Sequence, residues 1–178
     1  MSDNGYKRGK RLLFDAFIAA VLLGFDQFTK YLAIAHLKGN EPFVLIEGVL
    51  ELQYLENRGS AFGMFQNQKT FILLTGIVFM AVILFFLFRL PGYRKFNIVH
   101  ILLSCIIAGG LGNMVDRVRY DYVVDFISFV LINYPIFNVA DIYIVLSTIG
   151  LFILFLFVFK EQDLEFLNFR KNRSKDLK

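Results

Sequence analysis

Four stretches of the chain are apolar over most of their length, and shorter segments that carry the polar residues separate them. A helix that crosses the hydrocarbon core of a bilayer needs about 20 mostly apolar residues. Each stretch is close to that length, so the pattern predicts transmembrane helices at 12–35, 71–88, 98–115 and 142–159. Pro91 and Gly92 lie between the second and third stretches and predict a tight turn there.

Two segments between the predicted helices have the composition of strands rather than of loops. Residues 43–56 read FVLIEGVLELQYLE, in which Glu51 and Gln53 alternate with apolar neighbours, and residues 123–132 read VVDFISFVLI. Both are apolar for external segments, so we expect them to lie at the outer membrane–water interface and to pair there. The predicted fold class is an all-α membrane protein with four transmembrane helices and a small extracytoplasmic β element at the outer interface.

The composition excludes the main alternatives to a membrane protein. The 178 residues are 57% hydrophobic and 19% charged, whereas a soluble domain is about 45–50% apolar and about 25% charged. This apolar content excludes a disordered chain, and the single cysteine, Cys105, excludes a disulfide scaffold. The net charge is +4, but the basic residues are not interleaved with exposed aromatic residues, so we expect no nucleic-acid partner.

The basic residues indicate the orientation of the chain in a membrane. Clusters of Lys and Arg precede the first span, lie between the second and third, and follow the fourth. Such clusters favour the cytoplasmic side, so both termini are predicted to be cytoplasmic. The first span carries Asp15 and Asp26 and is too long for the apolar region of a signal peptide, so we expect it to be retained.

A single integral membrane domain is expected over residues 1–178. Its predicted parts are a basic cytoplasmic N-terminal tail at 1–11, a four-span core at 12–159 with external segments at 36–70 and 116–141, and a basic cytoplasmic C-terminal tail at 160–178.

The unusual polar residues of the chain gather at one depth. Asp26 lies about 14 residues into the first span, roughly 21 Å along a helix, which places it in the outer half of the membrane. The others lie at the outer ends of spans or in external segments: Asn57, Arg58, Asn113, Asp116, Asp125, Asn138 and Asp141. We expect no comparable cluster on the cytoplasmic side. Since a transporter needs polar positions through the membrane or broken helices near its midplane, this distribution argues against transport.

Carboxylates are the catalytic groups that remain. His36 and His100 are predicted to lie on opposite membrane faces, so zinc ligation is not expected, and neither is any other metal or cofactor. Cys105 lies in mid-span without a nearby base and is expected to pack. Two carboxylates in one partly desolvated site share a proton. The ionised one then activates water while the protonated one donates to a carbonyl oxygen, which is the chemistry of aspartic proteases.

Two of the acids have a basic residue close by in the sequence. Asp26 has Lys30 one turn further along the predicted helix, and Asp116 is followed directly by Arg117. We interpret both acids as structural members of ion pairs. Glycines at 109, 110 and 112 precede Asp116, and such small residues let helices approach closely in lipid. They are therefore predicted to bring the third span against the first.

The other two acids form the favoured catalytic pair. Asp125 lies among apolar neighbours, which raise the pKa of a carboxyl group, and Asp141 lies in the first turn of a predicted helix, where the helix dipole favours a carboxylate. Asp116 with Asp141 is the next choice. The remaining alternative is that all four acids are caps and ion pairs in a membrane bundle.

Five motifs in the order of the chain resemble those of bacterial lipoprotein signal peptidase, also called signal peptidase II. They are DQFTK at 26–30, NRGSAF at 57–62, GGLGNMVDR at 109–117, VVDF at 123–126 and FNVAD at 137–141. The resemblance extends from about residue 12 to residue 159 and leaves the two tails outside it.

The resemblance implies an integral membrane aspartic endopeptidase. Such an enzyme removes the signal peptide from diacylglyceryl-modified prolipoproteins by cutting just before the lipidated cysteine. The resemblance places the catalytic pair on Asp125 and Asp141. The supporting positions that it implies are Asp26, Asn57, Gly59, Asn113, Asp116, Arg117, Asn138 and Ala140, and Lys30 joins them as the ion-pair partner of Asp26.

The resemblance also implies a location and partners. We expect a multi-pass protein of the bacterial cytoplasmic membrane, with its site near the outer surface. Lipid-modified prolipoproteins and membrane lipid are the expected partners, globomycin-type peptide antibiotics the expected inhibitors, and a monomer the expected state. Two other functions remain as alternatives, a non-enzymatic membrane binding or assembly protein and a small proton-coupled transporter that uses Asp26.

Overall fold

The structure, a computed structural model, describes residues 2–59, 65 and 68–167. These residues include four long helices: α1 Ser2–Leu37, α2 Lys69–Arg89, α3 Asn97–Tyr120 and α4 Val139–Ile153. Each belongs to a helical segment that is long and apolar enough to cross a membrane, at Arg8–Leu37, Lys69–Arg89, Arg94–Tyr120 and Val139–Val158. The four predicted spans are therefore confirmed.

Shorter helical turns lie at the ends of these helices. A 3-10 turn at Arg94–Phe96 leads into α3, a π-helical turn at Leu154–Val158 prolongs α4, and a 3-10 segment follows at Glu161–Leu167. Residues 2–11, predicted as a tail, form the first turns of α1. Part of the predicted C-terminal tail, 168–178, lies outside the described residues. The proposed division of the domain stays a prediction.

Helix α3 is the central helix of the bundle, because it contacts α1, α2 and α4. Its buried residues include Val99 and Leu103. The outward faces of the other three helices carry exposed apolar side chains, such as Phe17, Val78 and Leu146. A helix that is apolar on all sides is typical of a membrane span, where lipid covers the outward face.

Two glycines of α3 allow its neighbours to approach closely. A Cβ atom at Gly109 would lie 2.5 Å from the backbone O of Ala140 in α4, and one at Gly112 would overlap the carboxylate of Asp26 in α1. No side chain fits at either position. The predicted packing role of these glycines is confirmed, and it brings α1 and the first turn of α4 against the same part of α3.

A three-stranded antiparallel sheet lies at one end of the bundle, which we call the sheet end. The strands are β1 Phe43–Ile46, β2 Leu50–Asn57 and β3 Val123–Phe129, in the spatial order β1-β2-β3. The predicted pairing of the two external segments is confirmed, since β2 pairs with β3. Val124 and Phe126 of β3 pack against Ala33 of α1, so one face of the sheet covers this helix.

The predicted extents of the strands are partly wrong. Residues 43–56 form a hairpin rather than one strand, because Gly48 adopts a positive φ of 68° and reverses the chain. Gly tolerates this conformation at no steric cost, which is the usual signal of a turn. The second predicted strand ends at Phe129, where a 3-10 turn at Val130–Ile132 begins, and Asn133 follows with a φ of 49°.

The prediction that only the outer end carries a polar cluster is also wrong. At the end of the bundle opposite the sheet, Asp15 of α1 and His100 of α3 are both buried, with 2.6 Å between Asp15 Oδ2 and His100 Nδ1. Arg11 completes the cluster, with its Nε 3.0 Å from Asp15 Oδ1. Arg11 also donates to the side chain and backbone O of Asn97. Arg11 and Asp15 are four residues apart in α1, but the contacts with Asn97 and His100 join residues far apart in the chain, and no local pattern marks them.

Candidate active site

The first acid of the predicted pair, Asp125, lies in the middle of β3 and is only 1% exposed. Its carboxylate accepts two hydrogen bonds from asparagine side chains. Asn57 Nδ2, at the end of β2, is 2.8 Å from Oδ2, and Asn138 Nδ2 is 2.6 Å from Oδ1. Asn57 pairs with Val123, two residues before Asp125, so strand register brings its side chain to the same face of the sheet.

The second acid, Asp141, lies in the first turn of α4 and is half-buried. It forms a capping box with Asn138: Asp141 N donates to Asn138 Oδ1 at 3.1 Å, and Asn138 N donates to Asp141 Oδ2 at 3.2 Å. This arrangement satisfies backbone N–H groups that a helix start leaves free. Asn113 Nδ2 of α3 also donates to Asp141 Oδ1, at 2.8 Å.

Asn138 therefore joins the two acids directly. Its backbone N donates to the carboxylate of Asp141 and its side-chain O accepts from Asp141 N, while its side-chain nitrogen donates to Asp125. The side chain is fully buried, so both acids are held by one group that is itself fixed. Of the four acids considered from the sequence, the structure brings Asp125 and Asp141 together in this way.

The environment of Asp125 favours its protonated form. Burial raises the pKa of Asp125 to about 7, and the negative charge of Asp141 acts in the same direction. Hydrogen bonds from Asn57 and Asn138 and the charge of Lys30 oppose this rise. The direction is the one expected from the apolar neighbours of Asp125 in the sequence.

Lys30 of α1 is close to the pair and is 2% exposed. Its Nζ is 3.0 Å from Asp26 Oδ2, 3.1 Å from Asp116 Oδ2 and 2.9 Å from Asn113 Oδ1. An ammonium group only donates, so the contact identifies the oxygen of the Asn113 amide and directs its nitrogen to Asp141. Lys30 thus reaches the pair through Asn113.

Asp26 and Asp116 connect the elements around the site. Asp26 Oδ1 accepts from Ala140 N in α4 at 3.0 Å, and Asp116 Oδ2 accepts from Val124 N in β3 at 3.1 Å. The predicted ion pair of Asp26 with Lys30 is confirmed. The prediction that Arg117 pairs with Asp116 is wrong, since Lys30 is the partner. Consecutive residues of a helix point about 100° apart and do not face each other.

Arg117 instead holds the segment that follows β2. Its Nη2 donates to the backbone O of Gly59 at 2.8 Å, and its Nη1 donates to the backbone O of Asn113 at 3.2 Å. Gly59 N in turn donates to Asn57 Oδ1 at 3.0 Å, which orients the amide that bonds Asp125. Of the second sequence motif, residues 60–62 lie outside the described residues.

Gln27 is a member of the network that the sequence reasoning did not assign. Its Nε2 donates to Asp116 Oδ1 at 2.9 Å and lies 3.3 Å from both Asp26 Oδ2 and the backbone O of Gly112. The signal available in the sequence was its position next to Asp26. Within the described ranges, no group of three or more His, Cys, Asp or Glu residues is arranged to hold a metal ion.

Comparison with known proteins agrees with this geometry. The family model described as Signal peptidase (SPase) II matches residues 18–158. This match covers all five motifs and both acids of the pair, and it includes neither of the two predicted tails. The chain belongs to the signal peptidase II family. Membership in a peptidase family does not favour the non-enzymatic and transporter alternatives.

Individual relatives support the same assignment. The chain is 39% identical to a lipoprotein signal peptidase of Streptococcus thermophilus over 142 residues, which cover 80% of this chain and 90% of the relative. It is 41% identical to one of Brevibacillus brevis over 157 residues, covering 88% and 97%. A solved bacterial membrane enzyme, determined by the in meso method, superposes with a TM-score of 0.73 at 29% identity, covering 80% of this chain and 87% of that one.

Proposed function

We propose that this signal peptidase II family member is an aspartic endopeptidase. Its substrates are diacylglyceryl-modified prolipoproteins, from which it removes the signal peptide by cutting just before the lipidated cysteine. The observation that carries the proposal is the direct link between Asp125 and Asp141 through Asn138. Two carboxyl groups held in one site, with the pKa of one near 7, are what water activation and carbonyl protonation require.

In the proposed reaction the pair shares one proton. The ionised carboxylate takes a proton from water as the water oxygen attacks the scissile carbonyl carbon. The protonated carboxyl donates a hydrogen bond to the carbonyl oxygen and, as the tetrahedral intermediate collapses, a proton reaches the leaving nitrogen.

The supporting residues fix the geometry of the pair. Asn57 and Asn138 position Asp125, and Asn113 and Asn138 position Asp141. Lys30, with Asp26 and Asp116, holds Asn113 in place, while Ala140 N anchors the start of α4 to Asp26. Arg117 fixes Gly59, and thereby the end of β2.

We propose that the sheet end faces the extracytoplasmic side of the bacterial cytoplasmic membrane and that both termini are cytoplasmic. The basic residues that flank the spans at the opposite end support this orientation. It places the pair at the level where a diacylglyceryl group anchored in the outer leaflet and a signal helix that crosses the bilayer meet. Globomycin-type peptides are proposed to bind across the same acids, and the protein is proposed to act as a monomer.

Cleavage of a lipidated lipobox peptide by the purified protein tests the proposal. In detergent with a chelator present, the wild-type protein is expected to cut before the lipidated cysteine. Asp125→Asn and Asp141→Asn keep the size and shape of each side chain but remove the shared acid, so each is expected to lower kcat by about 10²–10⁴-fold or more. Circular dichroism and gel filtration verify that both variants fold. Near-normal turnover by either folded variant would overturn the proposal.

A further inference from the structure

An apolar groove of about 300 Å³ opens beside Asp141. We call it the α4 groove. One wall is formed by α4 with Ile142, Val145 and Leu146, and the other by the segment after β3 with residues that include Ile132. Its volume lies at the lower end of the range for small-ligand sites, which are mostly apolar with few polar groups. Asp141 is one of the few polar residues on its wall.

The wall opposite α4 is held in place by the sheet. Phe137, which lines the groove, pairs with β3: its N donates to Ile127 O at 3.1 Å, and its O accepts from Phe126 N and Ile127 N. Its ring also stacks on Phe129, with 5.8 Å between ring centroids. Strand β3 carries Asp125, so the same strand fixes both the acid and the groove wall.

The groove opens onto a stripe of exposed apolar side chains along α4. Leu146, Ile149, Ile153 and Leu156 follow Ile142 at helical spacing, and these four are exposed. Residues at i, i+3 and i+4 share one face of a helix. From Ile142 to Ile153 this apolar stripe extends about 16 Å, close to half of the roughly 30 Å hydrocarbon core of a bilayer. The groove itself extends along α4 from Asp141 to Leu146, and the exposed stripe prolongs its apolar surface through about the depth of one leaflet.

We propose that the α4 groove binds an acyl chain of the diacylglyceryl group on the substrate. The inference rests on the proposed function, in which the lipidated cysteine is the first residue after the scissile bond. The lipid must then leave the site within one residue of the Asp125–Asp141 pair. The α4 groove meets this requirement because Asp141 lies on its wall, and its apolar side chains match the chemistry of an acyl chain.

A larger cavity of about 470 Å³ does not meet the same requirement. It lies between α1 and the sheet and is lined by residues that include Ala33, Leu52 and Phe126. Phe126 follows Asp125 directly in β3, and successive side chains of a strand point to opposite faces of the sheet. Neither acid of the pair lies on its wall. A chain attached to a cysteine at the pair would have to pass through the sheet to reach it.

The test compares two synthetic lipobox peptides that differ only in acyl length, one with dipalmitoylglyceryl-cysteine and one with dibutanoylglyceryl-cysteine. Both are presented in mixed micelles at the same mole fraction. Val145→Trp fills the groove, and Val78→Trp on the lipid-facing side of α2 is the matched control. Val145→Trp is expected to lower the preference for the dipalmitoyl peptide, measured as the ratio of kcat/KM values, about tenfold. Val78→Trp is expected to keep the wild-type ratio.

The outcomes separate the inference from the proposed function. If the wild-type protein cuts neither peptide, the proposed function fails. If it cuts both and Val145→Trp leaves the ratio unchanged, or lowers both kcat/KM values equally, the groove assignment is overturned. Should Val145→Trp not fold, the inactive Asp125→Asn protein is photo-crosslinked to a peptide with a diazirine at the end of its acyl chain. Crosslinks to Val145 and Leu146 support the inference, and crosslinks to Leu52 or Phe43 overturn it.

Discussion

Two clusters of buried ionisable side chains lie at opposite ends of the helix bundle, and they differ in what balances their acids. At the end away from the sheet, the carboxylate of Asp15 contacts two basic groups, those of Arg11 and His100. At the sheet end, Asp125 and Asp141 are held by asparagine amides instead. The first cluster is an ion pair within α1 whose acid also contacts His100 of α3, and the second holds two acids for which we propose a shared proton.

The comparison of the two clusters indicates that burial of an acid is not by itself a sign of catalysis. A buried carboxylate with a cation next to it is stabilised in its ionised form and has no reason to exchange protons. Amides position a carboxylate without adding a charge, so the pKa of Asp125 rises with burial to about 7. The side chain of Asn113 separates Lys30 from Asp141, and the positive charge of Lys30 is paired with Asp26 and Asp116.

The largest expected effect on catalysis without loss of an acid comes from Asn138→Ala. This change removes the side chain that bonds both members of the pair, at 2.6 Å from Asp125 and 3.1 Å from Asp141 N. We expect kcat to fall about a thousandfold, because proton transfer by positioned groups contributes about 10²–10⁴-fold. Steady-state cleavage of the lipidated peptide measures the change. A folded Asn138→Ala protein with kcat close to wild type would show that the acids are positioned by other groups.

Removal of the buried ammonium group of Lys30 is expected to lower the stability of the protein. Lys30→Met leaves Asp26 and Asp116 buried without their ammonium partner, which costs about 3–5 kcal/mol in comparable buried pairs. Lys38→Met is the control, because the ion pair of Lys38 with Glu56 is exposed and such pairs contribute little. Thermal unfolding in detergent compares the variants. Equal melting temperatures for Lys30→Met and Lys38→Met would contradict the role assigned to Lys30.

The matching change at the other end separates stability from catalysis. Asp15→Asn leaves Arg11 and His100 without a carboxylate and is expected to lower the free energy of unfolding by about 3 kcal/mol. Since this cluster lies away from the acid pair, kcat/KM of the folded fraction is expected to stay within about twofold of wild type. A large loss of kcat/KM at an unchanged melting temperature would show that the two ends are coupled, and it would contradict a purely structural role for Asp15.

The sequence was sufficient for the features that depend on local pattern. The length of the apolar stretches predicted four spans, and the apolar neighbours of Asp125 predicted the direction of its pKa shift. The sequence predicted a single strand over residues 43–56 because apolar residues stand on both sides of Glu47 and Gly48, although Gly next to a polar residue is a turn signal.

Contacts between distant parts of the chain were beyond reach of the same reasoning. Asp116 was assigned to its neighbour Arg117, whereas its partner Lys30 comes from another helix. The contact between Asp15 and His100 also joins two helices, and no pattern within either helix predicts it. Which charges meet depends on how α1 packs against α3, and glycines such as Gly112 determine how close that packing is.

The protonation state of the Asp125–Asp141 pair can be measured most directly by infrared difference spectroscopy of the carboxyl groups. We expect a protonated carboxyl band in the wild-type protein that disappears as pH rises through about 7, because burial raises the pKa of Asp125 to about that value. The value of kcat/KM is expected to fall over the same range, since the pair then loses its shared proton. Asp125→Asn should lack the band. The same titrating band in Asp125→Asn, or a wild-type protein with no carboxyl that titrates above about pH 5, would contradict the account.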